Sequence, residues 1–161
     1  MFYIDIKRLR DDVVLPSRGS KEAAGFDLYA WSYEKFDYPE EVDWAVVIPP
    51  GGSLKVRTGI AVSLPEGTFG GIYARSGLAT KQGLAPANKV GIIDSDYRGE
   101  IMVVLYNQSN LPQTLHKNDR IAQLIVQPYI EATWIETNTL DETERGDGGF
   151  GSSGINKNEP S

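Results

Sequence analysis

The sequence contains no cysteine and a single histidine. Without thiols there is no disulfide, no thiolate nucleophile and no cysteine-ligated zinc, and the lack fits a reducing compartment. One histidine per chain rules out a histidine-rich metal site within a chain. A Ser-His-Asp arrangement would have to use His116, which sits in the polar stretch Thr114-Leu115-His116-Lys117-Asn118-Asp119 and reads as a surface turn. No run of basic residues offsets the net charge of -6, so a protein that tracks nucleic-acid backbones is not expected. A small polyanion would need local arginines and a metal to overcome the global repulsion. No apolar run approaches the length of a membrane span. Charges at Asp5 and Lys7 interrupt the start, which therefore lacks the apolar core of a secretory leader. Helical periodicity is nearly absent as well.

What is present suits one globular body with a real core: 161 residues, 40% of them hydrophobic and 24% charged. Alternation of apolar and polar side chains predicts strands over residues 2–9, 23–30, 46–48, 54–64 (weakened at Gly59), 69–73, 120–126 and 130–135. Pro49-Pro50-Gly51-Gly52 and Pro65-Glu66-Gly67-Thr68 read as turns, and Pro128 closes the strand before it. One short helix is expected over residues 75–83, capped by Ser76 and stopped by Gly83. Many short strands with glycine and proline turns predict an all-β sandwich or jelly roll. The body is expected over residues 1–137, with an acidic, aromatic insertion or long loop at about 31–45, and residues 138–161 form a glycine-rich tail.

Residues 88–99, Asn88-Lys89-Val90-Gly91-Ile92-Ile93-Asp94-Ser95-Asp96-Tyr97-Arg98-Gly99, run from an apolar segment into a tight polar turn. With residues 100–106 leading away, the pair reads as a hairpin whose turn gathers two carboxylates, a phenol and a guanidinium. On one reading Asp94, Ser95 and Asp96 only bond their own backbone; on the other they form a site. The helix start at Arg75 and Ser76 offers free N–H groups to an anion, or is simply a capped helix. Phe26, Leu28 and Ala30 share one face of a strand, leaving Asp27 on the other, where it could be merely solvated.

In the tail, Gly149, Gly151 and Gly154 match G-x-G-x-x-G, but with the chain about to stop no βαβ unit surrounds them and a dinucleotide fingerprint is rejected. The same glycines, with Ser152 and Ser153, can wrap phosphates by backbone N–H groups. Phe150 offers a stacking face and Arg145 a bidentate clamp, so the tail could close as a lid. Asn107-Gln108-Ser109 matches a glycosylation acceptor without the secretory context.

Five stretches in order resemble the trimeric dUTPase family, the deoxyuridine triphosphate nucleotidohydrolases. They are Ala24-Gly25-Phe26-Asp27-Leu28-Tyr29-Ala30, Arg75-Ser76-Gly77-Leu78-Ala79, residues 88–99, Asp119-Arg120-Ile121-Ala122-Gln123, and residues 145–154. The resemblance implies a jelly-roll-like subunit, a homotrimer with active sites shared between chains, and Mg²⁺-dependent hydrolysis of dUTP to dUMP and pyrophosphate. Such an activity limits uracil incorporation into DNA and supplies dUMP for dTMP synthesis. It implies a cytoplasmic enzyme, or one of the host cytoplasm if the source is viral. Asp94 then resembles the general base that activates a water for attack on the α-phosphorus, since a carboxylate can take its proton. Tyr97 resembles the aromatic that packs on the deoxyribose. Asn88, the backbone of Gly91, Ile92 and Ile93, and Met102 resemble the uracil slot. Arg75, Ser76 and Gly77 resemble the phosphate turn, with Ser76 near the bond that breaks, and Gln123, supported by Arg120, a phosphate or water contact. Arg145, Phe150, Gly151, Ser152 and Ser153 resemble the lid. Asp27 resembles the acid that orders Mg²⁺ through water, the ion being held mainly by the triphosphate.

Four departures stand out: Ala74 where many members have Pro, Asn118 where Gly is common, Asp147 where Glu is common, and a segment from Trp31 to Trp44 longer than that of a minimal member. The nearest alternative is a dCTP deaminase, or a bifunctional deaminase and diphosphatase, of the same superfamily. An alternative of another class is a non-catalytic nucleotide-binding trimer.

Overall fold

The computed structural model describes residues 3–34 and 43–149. The chain falls into two compact units, Met1–Glu131 and Ala132–Ser161, and every strand described lies in the first. The elements are β1 (Asp5–Arg8), β2 (Ser17–Arg18), β3 (Phe26–Tyr29), β4 (Ser32–Tyr33), β5 (Ala45–Ile48), β6 (Ser53–Arg57), β7 (Ile60–Ser63), β8 (Thr68–Tyr73), α1 (Ser76–Lys81), β9 (Leu84–Pro86), β10 (Gly91–Asp94), β11 (Met102–Asn107), β12 (Gln113–His116) and β13 (Arg120–Pro128). The main sheets run β10-β8-β13-β3-β2 and β4-β6-β11-β9, with β1-β7 and β12-β5 as flanking pairs. All the pairings are antiparallel. This is the expected all-β, jelly-roll-like subunit with one short helix.

Period-two patterning decides which faces meet. Along β11, Val103, Leu105 and Asn107 are buried while Met102 and Val104 face out. Leu28 of β3, Ile72 of β8 and Leu124 of β13 join Val56 of β6, Leu84 of β9 and Leu105 of β11 in one apolar cluster, closed by Ile48, Ile60 and Leu115. Each such side chain, fully withdrawn from water, contributes about 1.5–3 kcal/mol.

The expected strand over 54–64 is two strands in different sheets, β6 and β7. Gly59, with φ +69, breaks it, because only glycine enters that region without strain. The expected hairpin around 94–100 is likewise not one. β10 pairs with β8, whereas β11 pairs with β6 and β9, so the turn carries the chain from one sheet to the other. Residues 130–135 form no strand; Ile130, Trp134 and Ile135 are almost wholly exposed. Ser76 does not cap α1. Arg75 holds the N-cap position without a side-chain bond, and Gly83, with φ +67, follows the C-cap Gln82.

The segment expected as an insertion is anchored at both ends. Trp44 is buried, meets Tyr33 edge-on at 5.1 Å, and donates its indole N–H to the Trp31 carbonyl at 2.9 Å. Trp31 in turn donates to Asp12 Oδ1 at 2.8 Å. Residues 35–42 lie outside the described residues. Asn118 has φ +66, which explains an asparagine where glycine is common: of the non-glycine residues, it enters that region most readily.

Candidate active site

The predicted site residues of the first unit form two groups. The first lies where β3 and β13 meet the end of β8. Register places Gln123 opposite both Asp27 and Tyr73. Asp27 is not a solvated outward residue: its side chain is 13% exposed and held by two guanidiniums. Arg75 Nε donates to Oδ1 at 2.7 Å, and Arg120 Nη1 donates to Oδ2 at 3.2 Å. Arg75 also reaches the Arg120 carbonyl, at 3.4 Å. One carboxylate thus aligns two cations and leaves the trio with net positive charge, a suitable cradle for phosphate. Gln123 Nε2 donates to the Ala74 carbonyl at 2.9 Å, which orients its amide beside the turn that carries Arg75, Ser76 and Gly77. Ser76 and Gly77 open α1 and are exposed.

The second group surrounds β10, the edge strand of the five-stranded sheet. Its outer edge has no strand beside it among the described residues, so its backbone can pair with a ligand edge, as an added strand would. Ile92, Ile93, Asp94, Tyr97, Glu100 and Met102 line a cleft of about 250 Å³. Asn88 sits at the near end of the strand, its side-chain nitrogen 3.2 Å from where a Cβ on Gly91 would lie. Asp94 ends the strand and is exposed. The turn that follows closes with Tyr97 N–H donating to the Asp94 carbonyl at 3.1 Å. Asp94 also lines a larger cleft of about 890 Å³ that runs past Glu66, Phe69, Ser95 and Arg98.

The two groups do not meet within one chain. Asp94 pairs with Phe69 near the start of β8, while Arg75 follows the other end of that strand.

In the second unit, Arg145 Nε donates to the Gly148 carbonyl at 2.9 Å, inside a turn that also bonds Gly148 N–H back to the Arg145 carbonyl at 3.1 Å. Phe150, Gly151, Ser152 and Ser153 lie outside the described residues.

The family profile described as dUTPase matches residues 11–154. A deoxyuridine 5'-triphosphate nucleotidohydrolase from Hydrogenobaculum is 43% identical over 150 residues, covering 93% of this chain and 96% of that one.

The chain belongs to the dUTPase family.

The relative from Anaplasma marginale is 44% identical over 140 residues, covering 87% of this chain and 88% of its own. The rice enzyme is 39% identical over 152 residues, covering 94% and 81%. Among solved structures, the Staphylococcus bacteriophage 80alpha dUTPase with dUpNHpp superposes with a TM-score of 0.78 at 26% identity, covering 96% of this chain and 100% of that one. The dUTPase of phage phi11, 22% identical with a TM-score of 0.68 over 86% of this chain and 98% of that one, shares the fold; it is described with a structural Mg(II) ion.

Among the described residues, no three His, Asp or Glu side chains gather as a metal cage. Both oxygens of Asp27 are already engaged by arginines. Of these residues, Asp27 is the one whose carboxylate, beside the two guanidiniums, could meet an ion that a phosphorylated ligand brings in.

Sequence reading passed over three members of the site. Glu100 lines the smaller cleft, and its partners Arg57 and Gly59 are 43 and 41 residues away. Gly25 faces the Gln123 side chain so closely that a Cβ would stand 2.6 Å from Oε1. Gly99 lies under the Tyr97 ring, where a Cβ would stand 2.3 Å from the hydroxyl. The only signal for the two glycines was their position inside the matched stretches.

Proposed function

We propose that this chain hydrolyses dUTP to dUMP and pyrophosphate as a homotrimer, with Asp94 as general base. The observation that carries the reading is the cleft along the open edge of β10, with Asp94 at its lip and Tyr97 as a wall. The edge backbone of Gly91, Ile92 and Ile93, with Asn88, pairs with the uracil. A cytosine there would leave buried groups unpaired, at about 1–3 kcal/mol each. Tyr97 packs on the deoxyribose and leaves no space for a 2′-hydroxyl, while Met102 closes the slot.

Asp94 takes a proton from water as the water oxygen bonds to the α-phosphorus. The bond from that phosphorus to the bridging oxygen breaks and pyrophosphate leaves. Arg75, Ser76, Gly77, Arg120 and Gln123 bind the phosphates from a neighbouring chain, which is why one chain alone keeps them apart from Asp94. Arg145, Phe150, Gly151, Ser152 and Ser153 act as the lid. Mg²⁺ held by the triphosphate would offset its charge, with Asp27 ordering its water shell. No nucleic acid or membrane takes part, the setting is the cytoplasm (the host's, for a viral source), and the body and lid divide near residue 137.

The test is pyrophosphate release with Mg²⁺ from dUTP, dCTP, dTTP and UTP in parallel. Turnover confined to dUTP is expected. Asp94→Asn should bind dUTP while losing at least about 100-fold in turnover. Ammonia release from dCTP would overturn the reading in favour of a deaminase, and dUTP binding without turnover would favour a non-catalytic trimer.

A further inference from the structure

Tyr97 is exposed on one face and held on the other. Its hydroxyl donates to the Glu100 carbonyl at 3.1 Å, and its ring lies on Gly99, where even a Cβ would collide. The orientation of this wall therefore depends on where the backbone of residue 100 stands.

That position is set by an ionic staple. The Glu100 side chain is 9% exposed. Its Oε2 accepts from Arg57 Nε at 2.9 Å and lies 2.7 Å from Nη2 of the same residue. Its Oε1 accepts from the Gly59 N–H at 2.8 Å. That N–H belongs to the break between β6 and β7, so no ladder satisfies it. The Arg57 guanidinium also lies over the Trp31 ring, whose centroid is 5.6 Å from its central carbon. Next along the chain, Thr58 Oγ1 donates to the Ile101 carbonyl at 2.6 Å and Ile101 N–H to the Ile60 carbonyl at 2.9 Å. Among the described residues lining the smaller cleft, the one charged side chain besides Asp94 is thus neutralised and turned to structural work.

We propose that Glu100 is a positioning residue for substrate specificity: through its bonds to Arg57 and Gly59 it fixes the carbonyl that holds Tyr97, and so sets discrimination between deoxyribose and ribose. This rests on the dUTPase reading above. The Glu100 carboxylate is withdrawn from water and accepts two bonds, although its Arg57 partner is 43% exposed, and losing that charge should cost about tenfold in a binding-dependent quantity.

The experiment compares wild type, Glu100→Gln, Tyr97→Phe and the double variant for kcat and KM with dUTP and with UTP, alongside Tm. Glu100→Gln should lower the dUTP/UTP ratio of kcat/KM about tenfold, mainly through KM for dUTP. Tyr97→Phe, which keeps the ring and removes its bond to the Glu100 carbonyl, should lower the ratio similarly. The double variant should be no worse than the larger single loss, the signature of two groups acting in series. Losses that multiply in the double variant would overturn the proposal. So would a Glu100→Gln that lowers Tm and leaves the ratio unchanged. If Glu100→Gln does not fold, an unchanged ratio in Tyr97→Phe alone refutes it. Wild type inactive on dUTP would instead refute the underlying functional reading.

Discussion

Asp94 and Arg75 stand at opposite ends of the same strand. Asp94 pairs with Phe69, Arg75 follows Tyr73 by two residues, and the stretch of β8 between Phe69 and Tyr73 spans about 13 Å. If Asp94 is the base and Arg75 a phosphate clamp, as proposed above, that separation argues that the two serve one substrate from different chains. In the proposed homotrimer a second chain would bring its own Arg75 to this Asp94, three times over by symmetry.

This separation predicts complementation. Asp94→Asn and Arg75→Ala should each lose at least about 100-fold in turnover. Chains of the two variants, unfolded together and reassembled at equal concentration, should regain about a quarter of wild-type sites, because one in four neighbouring pairs unites an intact Asp94 with an intact Arg75. Pyrophosphate release before and after mixing reads the result. Absence of recovery in a verified mixed trimer would mean that both groups serve from one chain.

Gly25→Ala addresses the fit of Gln123. The added Cβ would stand 2.6 Å from Gln123 Oε1 and 3.2 Å from its Cβ, so the amide must swing away from the Ala74 carbonyl. Stability should fall by about 1 kcal/mol, an ordinary overpacking cost, while kcat/KM for dUTP falls about tenfold. Thermal denaturation and steady-state kinetics on the same preparation separate the two effects.

Asn107 is wholly buried and sits at the centre of four bonds. Its Nδ2 donates to the Ile48 and Leu111 carbonyls at 2.9 and 2.8 Å, and its Oδ1 accepts from Ser109 N–H and Oγ at 3.0 and 2.7 Å. The apparent glycosylation acceptor is therefore a structural hub. Asn107→Ala should destabilise the fold by about 3 kcal/mol, or about 6–12 °C in Tm, leaving those partners unsatisfied.

Asp12 accepts from Lys117 Nζ at 2.7 Å and from the Trp31 indole. The Lys117 bond, with the Trp31 bond and the lysine charge beside it, holds its carboxyl below the ordinary aspartate value of 3.8 against the opposing effect of burial. A depressed folded-state pKa gives stability that is present above the unfolded value and disappears as pH falls through the folded one. Asp12→Asn should therefore melt about 2–4 °C below wild type at pH 7, with the gap closing at pH values under 3.8. Paired thermal melts across pH 2 to 7 test the sign.

Much of the fold could be read from alternation alone. Strand β13 and the buried face of β3 stand where period-two patterning puts them, because one side of each must leave water. What local pattern could not tell was pairing. Residues 100–106 look like the return arm of a hairpin, yet they pair with β6 and β9, since ladder partners are chosen by the whole sheet. Residues 130–135 have strand composition, but no partner ladder runs beside them among the described residues.

The same division holds for the site. Residue identity and order along the chain, matched to the dUTPase family, were enough to nominate Asp94, Tyr97, Arg75 and Gln123, because such a match rests on side-chain type and order and needs no knowledge of what lies near what in space. Tertiary structure alone decided that Asp27 is clamped by Arg75 and Arg120 and that Glu100 is tied to Arg57 and Gly59. It also decided that Asp94 lies beside the start of β8 whereas Arg75 follows its end. Those relations join residues up to 93 positions apart, and an ion pair depends on distance in space, which folding sets and sequence spacing does not.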